Sequence, residues 1–281
     1  MNIKTLKIFT ILNMVTMLVS GCINYPIYDF AYFDYGIIAS LITDWKERGK
    51  NIDIPERYTV KIGDYINTLA GTNNPIDYLF PPGKYIINIW NVTHHISISE
   101  MLATADYTAG ELGWFFTGRK EVMIELEREH SFIVYMQQQV RQLTFELEIA
   151  DNVRYLYSDI SATLSGVAGT LNMDDGMHGA PTTIALSFTE NPDGSKWKAT
   201  VRLLGIAGKS QILILTMNFD DVDPSFDTIT SDLSNQLTSF NEDKKTPLTL
   251  STRIEGTQTD GVMIATITDW ISEETSTGTA D

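Results

Sequence analysis

Cysteine is almost missing from this chain: 281 residues hold one, Cys22. No internal disulfide can form, and with only four histidines a zinc site of the usual Cys/His kind lacks its ligands. Two of those histidines, His94 and His95, are adjacent, and on a strand they would face opposite ways. Basic charge is also scarce, with 20 Lys and Arg against 36 Asp and Glu and a net charge of −16. Such a chain does not bind nucleic acid through its bulk charge. Long apolar runs are absent too, because a spanning helix takes ~20 apolar residues and the longest run here, from 8 to 19, is shorter and broken by Thr10, Asn13 and Thr16. The usual catalytic signatures, G-x-S-x-G, H-E-x-x-H and G-x-G-x-x-G, do not occur. GIAGKS, 205 to 210, imitates the end of a P-loop, but the first glycine of that motif would fall on Leu203 and a strand-like run follows. It reads as a hairpin turn. No cofactor, metal or catalytic residue is expected.

What is present begins at Met1. Two lysines, Lys4 and Lys7, precede the short apolar run, and Val19-Ser20-Gly21 leads into Cys22. A basic start, a short apolar core and a small-residue exit are the parts of a secretory signal. The ending resembles a bacterial lipobox, which implies cleavage before Cys22 and lipid on its thiol. Several acyl chains then hold the protein on a membrane, since each buried CH₂ contributes roughly 0.8 kcal/mol and one chain binds only marginally. The plain alternative is an exported protein whose cysteine falls near the cut by chance. Without Lys4 and Lys7 the mature charge goes from −16 to −18.

The rest of the chain reads as β. IIASLITDW (37 to 45) is a first strand, and KERGKNIDIPERY (46 to 58) an exposed loop. Runs rich in Ile, Val, Tyr, Phe and Trp recur at KYIINIWN, HHISIS, EVMIELE and SFIVYM. QLTFELEI (142 to 149) alternates strictly, with Leu143, Phe145, Leu147 and Ile149 on one face. TTIALSFTE and KWKATVRLL flank the turn NPDGS, and PLTLSTRIEG precedes GVMIATITDW across a short turn. ISISEMLA is ambiguous, and 228 to 241 has helical spacing at Ile229, Leu233 and Leu237. NFDDVDPSFD (218 to 227) lacks the spacing of a calcium loop and reads as a solvated acidic turn. The last eleven residues, ISEETSTGTAD, are polar and read as a loose tail. Many short strands with little helix predict an all-β fold of β-sandwiches. Two are expected, because one sandwich takes about 100 residues. The predicted division is a signal over 1–21, an N-terminal sandwich over 22–136 and a C-terminal sandwich over 137–281.

Several stretches carry a resemblance: VYMQQQVRQLTFELEI, ISATLSGVAGTLNMDDGMHG, KATVRLLGIAGKSQILILTMNF, SDLSNQLTSFNEDKKTPLTL, PPGKYIINIWN and GWFFTG. They resemble the fimbrillin-type lipoproteins of Bacteroidales, in the group called FimB-type fimbrial subunits. That implies two tandem transthyretin-like β-sandwich domains and a lipoprotein of the outer membrane in a type V pilus. It also implies partners among other pilin subunits, joined by donor-strand addition, and an adhesion ligand on a host or another bacterium. Such pilins are cut by a trypsin-like protease after the first strand, which places Arg48 and Arg57 as candidate maturation sites; otherwise both are solvated loop residues. An anchor subunit stays uncut and keeps its lipid. Three roles follow: an anchor or accessory subunit, a matured stalk or tip pilin, or a non-polymerising lipoprotein that binds glycan or host protein.

Overall fold

A computed structural model describes residues 34–151, 157–192, 195–219, 226–259 and 262–274. Cys22, the aromatic segment just after it, most of the acidic 218–227 loop and the middle of the NPDGS turn lie outside the described residues. All regular structure among the described residues is strand.

The first half contributes β1 (Gly36–Asp44), β2 (Arg57–Ile62), β3 (Tyr65–Ala70), β4 (Asn73–Phe80), β5 (Gly83–Asn91), β6 (Ile96–Ser99), β7 (Leu102–Ala105), β8 (Phe116–Ile124), β9 (Glu129–Tyr135) and the two-residue β10 (Gln137–Gln138). One sheet has the order β4-β1-β9, with β1 parallel to β9 and antiparallel to β4. The facing sheet has the order β10-β8-β5-β2-β3. Alternation does the sorting. In β2, Tyr58, Val60 and Ile62 are buried while Arg57 is exposed. They meet Ile38 and Leu41 of β1 and Ile87 and Ile89 of β5 in one apolar cluster. Trp45, just past β1, joins it edge-on to Phe116 at 5.5 Å. Each such side chain contributes roughly 1.5–3 kcal/mol on burial.

The second half contributes β11 (Arg141–Ile149), β12 (Tyr157–Asn172), β13 (His178–Ser187), β14 (Thr189–Glu190), β15 (Lys196–Leu203), β16 (Ile212–Phe219), β17 (Phe226–Asp232), β18 (Leu248–Thr259), β19 (Val262–Ile267) and β20 (Ile271–Glu274). One sheet runs β14-β15-β11-β18-β19, with β20 also on β18. In β11 the expected apolar face, Leu143 to Ile149, is buried. Its other face forms a cross-strand ladder: Thr144 with Thr200 at 3.2 Å, Glu146 with Lys198 at 3.0 Å and Glu148 with Arg253 at 2.6 Å. The opposing sheet runs β17-β16-β12-β7-β6, with β13 on the other side of β12.

Chain order and sheet membership diverge at that point. The hairpin β6–β7 belongs to the first half in sequence but hydrogen-bonds to β12, with Thr104 opposite Thr170 and Leu102 opposite Asn172. Its apolar residues Met101 and Ala103 join Leu112, Phe115, Val140, Leu171, Met173 and Leu204 in a third cluster, drawn from both halves.

Four local expectations change. GIAGKS links β15 to β16, which lie in different sheets, so it is a crossover between the sheets and not a hairpin turn. ISISEMLA is the β6–β7 hairpin, with no helical turn. Glu100 and Met101 sit at φ of 49° and 65°, the paired positive values that a two-residue hairpin turn needs. His94 and His95 lie in the turn before β6 rather than on a strand. The stretch expected to be helical from 228 splits: Thr228 to Asp232 belong to β17, and the bonds Leu237 N to Leu233 O and Phe240 N to Leu237 O close short turns after it. Leu233, Leu237 and Phe240 face the second core from those turns.

Candidate functional site

Arg57 opens β2, is exposed, and pairs with Ala70. Arg48 is tied down. Its Nε donates to Ile52 O at 3.1 Å and its Nη1 to Trp45 O at 3.0 Å, so the guanidinium bridges the loop between β1 and β2. The next amide, Gly49 N, donates to Gln138 Oε1 at 2.8 Å. Arg48 is thus hydrogen-bonded within its loop, while Arg57 lies in the paired backbone of β2 with its side chain in solvent.

Gln138 acts as a clamp. Besides accepting from Gly49, its Nε2 donates to Val140 O at 2.8 Å and to Lys244 O at 2.6 Å. One buried amide thus joins the loop after β1, the crossing between the halves and the loop before β18. Lys244 in turn donates to Gln139 Oε1 at 2.6 Å, and burial lowers its pKa to about 8. His178 sits at the same seam with Nε2 at 3.2 Å from Leu204 O. Burial, then the charge of Lys244, lowers its pKa to about 4, so the ring is neutral at pH 7. Glu111 and Trp114 of the first half hold Arg202 of β15. Arg202 Nε donates to Glu111 at 2.8 Å, Nη2 bonds the other oxygen, and the guanidinium lies 5.1 Å from the Trp114 ring centre.

The second feature is the end of the chain. GVMIATITDW does pair with PLTLSTRIEG, as Ile254 opposite Ile267 and Gly256 opposite Ala265. The polar stretch after it is not all loose. Residues 271–274 form β20, which returns to β18 with Ile271 opposite Ser251 and Glu274 opposite Leu248. Composition misled here, because a strand whose side chains are all exposed can still be held by its backbone and one ion pair. That pair is Glu274 with Arg141, whose side chain is 1% exposed. Arg141 Nη2 donates to Glu274 Oε1 at 3.0 Å, Nε to Thr246 O at 2.7 Å and Nη1 to Phe240 O at 3.1 Å. Its charge also lies 5.1 Å from the Phe240 ring centre. Sequence reasoning missed this arginine, yet a signal existed: Arg141 falls on the same alternating phase as Leu143, Phe145, Leu147 and Ile149. A charge on a core phase calls for a buried partner.

Among the described residues, β13 pairs only with β12, and β6 only with β7, so each leaves one edge without a strand partner. Such one-sided strands offer backbone N–H and C=O groups to another chain. No group of three or more metal-binding side chains occurs among the described residues.

No family model and no curated protein matches the sequence. Solved structures do match its fold. A candidate adhesin from Bacteroides ovatus superposes with a TM-score of 0.59 at 15% identity, over 75% of this chain and 87% of that one. The fimbrial anchor protein Mfa2 from Porphyromonas gingivalis gives 0.54 at 14% identity, over 81% and 97%. A candidate polysaccharide-binding protein from Bacteroides thetaiotaomicron gives 0.59 at 10% identity, over 78% and 92%. This chain therefore shares the all-β sandwich fold of proteins named as adhesins and as a fimbrial anchor. At these identities the likeness is one of fold.

Proposed function

We propose that this protein is a lipid-anchored, non-enzymatic fimbrial subunit of FimB type, serving as the anchor or accessory subunit of a type V pilus. In this reading the chain divides into a signal over 1–21 and domains over 22–136 and 137–281. Cys22 carries the lipid that holds it on the outer membrane, at the cell surface. Neighbouring pilin subunits join by strand addition, and the assembled fimbrium supports adhesion.

The observation that supports the anchor role is the pairing of the last described strands. A donor strand must leave its own sheet to fill a neighbour's. Here β19 and β20 both pair with β18 of the same chain, and Glu274 is tied to the buried Arg141. The likeness in fold to a fimbrial anchor protein supports the same reading. Open edges at β6 and β13 are where a partner strand could add. The held Arg48 and Arg57 fit a subunit that stays uncut.

The test is intact mass with N-terminal mapping of protein from native outer membranes, in the presence of a trypsin-like protease. A lipidated chain starting at Cys22 is expected. A lipid-free chain starting at Gly49 or Tyr58 overturns the anchor role and makes the protein a matured stalk or tip pilin.

A further inference from the structure

The outer face of the β10-β8-β5-β2-β3 sheet carries an apolar group. Val60, Ile62, Ile87 and Ile89 point into the first core, so the alternate phase of the same strands points outward. Ile86 and Met123 lie on that outward phase, 38% and 49% exposed, as diagonal neighbours across the β5–β8 pair. They line a hollow of about 460 Å³ together with Lys84 and Glu121. Leu126, also 49% exposed, follows in the turn after β8. Single apolar side chains on a surface are ordinary, whereas a group of them marks a contact. Arg119 pairs with Glu121 at 3.3 Å, which leaves Lys84 as the unmatched charge at the hollow.

The chain enters the first sandwich beside this hollow. Tyr35 O accepts from Glu127 N at 3.2 Å, and Ile37 N donates to Arg128 O at 3.0 Å. A Cβ on Gly36 would lie 2.5 Å from Ile124 Cγ2, so β1 begins in contact with the end of β8. Just upstream, outside the described residues, is INYPIYDFAYF, 23 to 33. It carries Tyr25, Tyr28, Phe30, Tyr32 and Phe33, one acid, Asp29, and no base. Fully extended, such a segment reaches at most about 40 Å.

We propose that residues 23–33 fold back onto this face and seat aromatic side chains over Ile86, Met123 and Leu126. The point of attachment selects the occupant. The segment joins the sandwich at the edge of the hollow, so its effective concentration there is high. Its rings gain by leaving water, and a methionine thioether makes a favourable contact with an aromatic ring. Asp29 is opposite in sign to Lys84. A linker seated in this way is no longer a free spacer, and the first sandwich stands close to the membrane that holds Cys22. That consequence rests on Cys22 carrying lipid, whereas the docking does not.

The test uses the chain from residue 22 with Cys22→Ser, so that no lipid is attached, and follows methionine methyl groups by NMR. The Met123 methyl is expected upfield, in the ring current of a seated aromatic, while the methyl of Met177, 68% exposed on the second sandwich, is not. Tyr28→Ser with Phe30→Ser should move Met123 downfield and leave Met177 in place. Limited chymotrypsin digestion gives a second reading, because cleavage follows the population of the released segment. Cleavage within 25–33 should be at least about tenfold faster in Ile86→Ser with Met123→Ser, and unchanged in Met177→Ser. Ile86 and Met123 are exposed, so replacing them spares the core. A Met123 methyl unmoved by the aromatic replacements, or equal cleavage rates, would overturn the proposal. Protection that appears only with phospholipid vesicles would put the segment at a membrane interface, and protection that rises with protein concentration would put it on a second copy; either overturns the proposal too.

Discussion

Replacing Arg141 tests the account of the terminal strand most directly. Its side chain is 1% exposed, and it satisfies two backbone carbonyls and one carboxylate. Arg141→Met keeps much of the volume and removes every donor. The carbonyls of Thr246 and Phe240 then each lose a donor, and an unsatisfied buried group costs about 1–3 kcal/mol. Removing a buried charge gives some of that back, because its desolvation had opposed folding. A net loss of about 3 kcal/mol is expected. Glu274→Ala leaves the two carbonyl bonds intact. Its carboxylate is 53% exposed, so water can replace it in part, and the expected loss is only about 1.5 kcal/mol, the low end for a bond to a charged group. The double variant should lose about 3 rather than 4.5 kcal/mol, because Glu274 has nothing left to pair with once Arg141 is gone. Urea unfolding of the full chain gives all three values. A loss under about 1 kcal/mol for Arg141→Met would refute the claim that this buried charge organises the end of the second sandwich. Hydrogen exchange adds a local reading: Glu274→Ala should speed exchange along β20 while leaving β2 unchanged.

Three further outcomes follow from the same geometry. Gln138→Ala breaks three bonds at the seam, with an expected cost of about 2–4 kcal/mol; by freeing Gly49 it should also speed trypsin cleavage after Arg48, read by mass spectrometry. Gly166→Ala should cost at least about 2 kcal/mol in the same unfolding assay, because φ there is +73° and a Cβ would lie 2.3 Å from the Ser210 carbonyl oxygen. The wild-type chain should lose stability as pH falls from about 6.5 toward 4: an unfolded His178 takes up a proton over that range, while the folded ring, with its pKa lowered to about 4 by burial and Lys244, does not. His178→Gln should flatten that part of the pH–stability curve, and an unchanged slope would contradict the assignment.

The all-β class was legible because period two survives in strands with one face in water. β2 and β11 show it plainly, and every residue on the apolar phase of each is buried, although Thr144 on the other phase of β11 is buried as well. The pairing of β18 with β19 was also legible, since a short turn leaves two adjacent apolar runs little choice. Cys22 raised the question of lipid from sequence alone, as did the two arginines for maturation. ISISEMLA was not legible, because four-residue strands are too short to establish a period, and its pairing with β12 is a contact across some 70 residues of chain. The Arg141–Glu274 pair spans 133 positions, and the Gln138 amide joins Gly49 to Lys244. Alternation is set by each strand's own backbone and is therefore written locally. Which sheet a hairpin joins, which carboxylate meets a buried arginine, and which loops one buried amide ties together depend on packing between distant segments, and only the tertiary structure decides them.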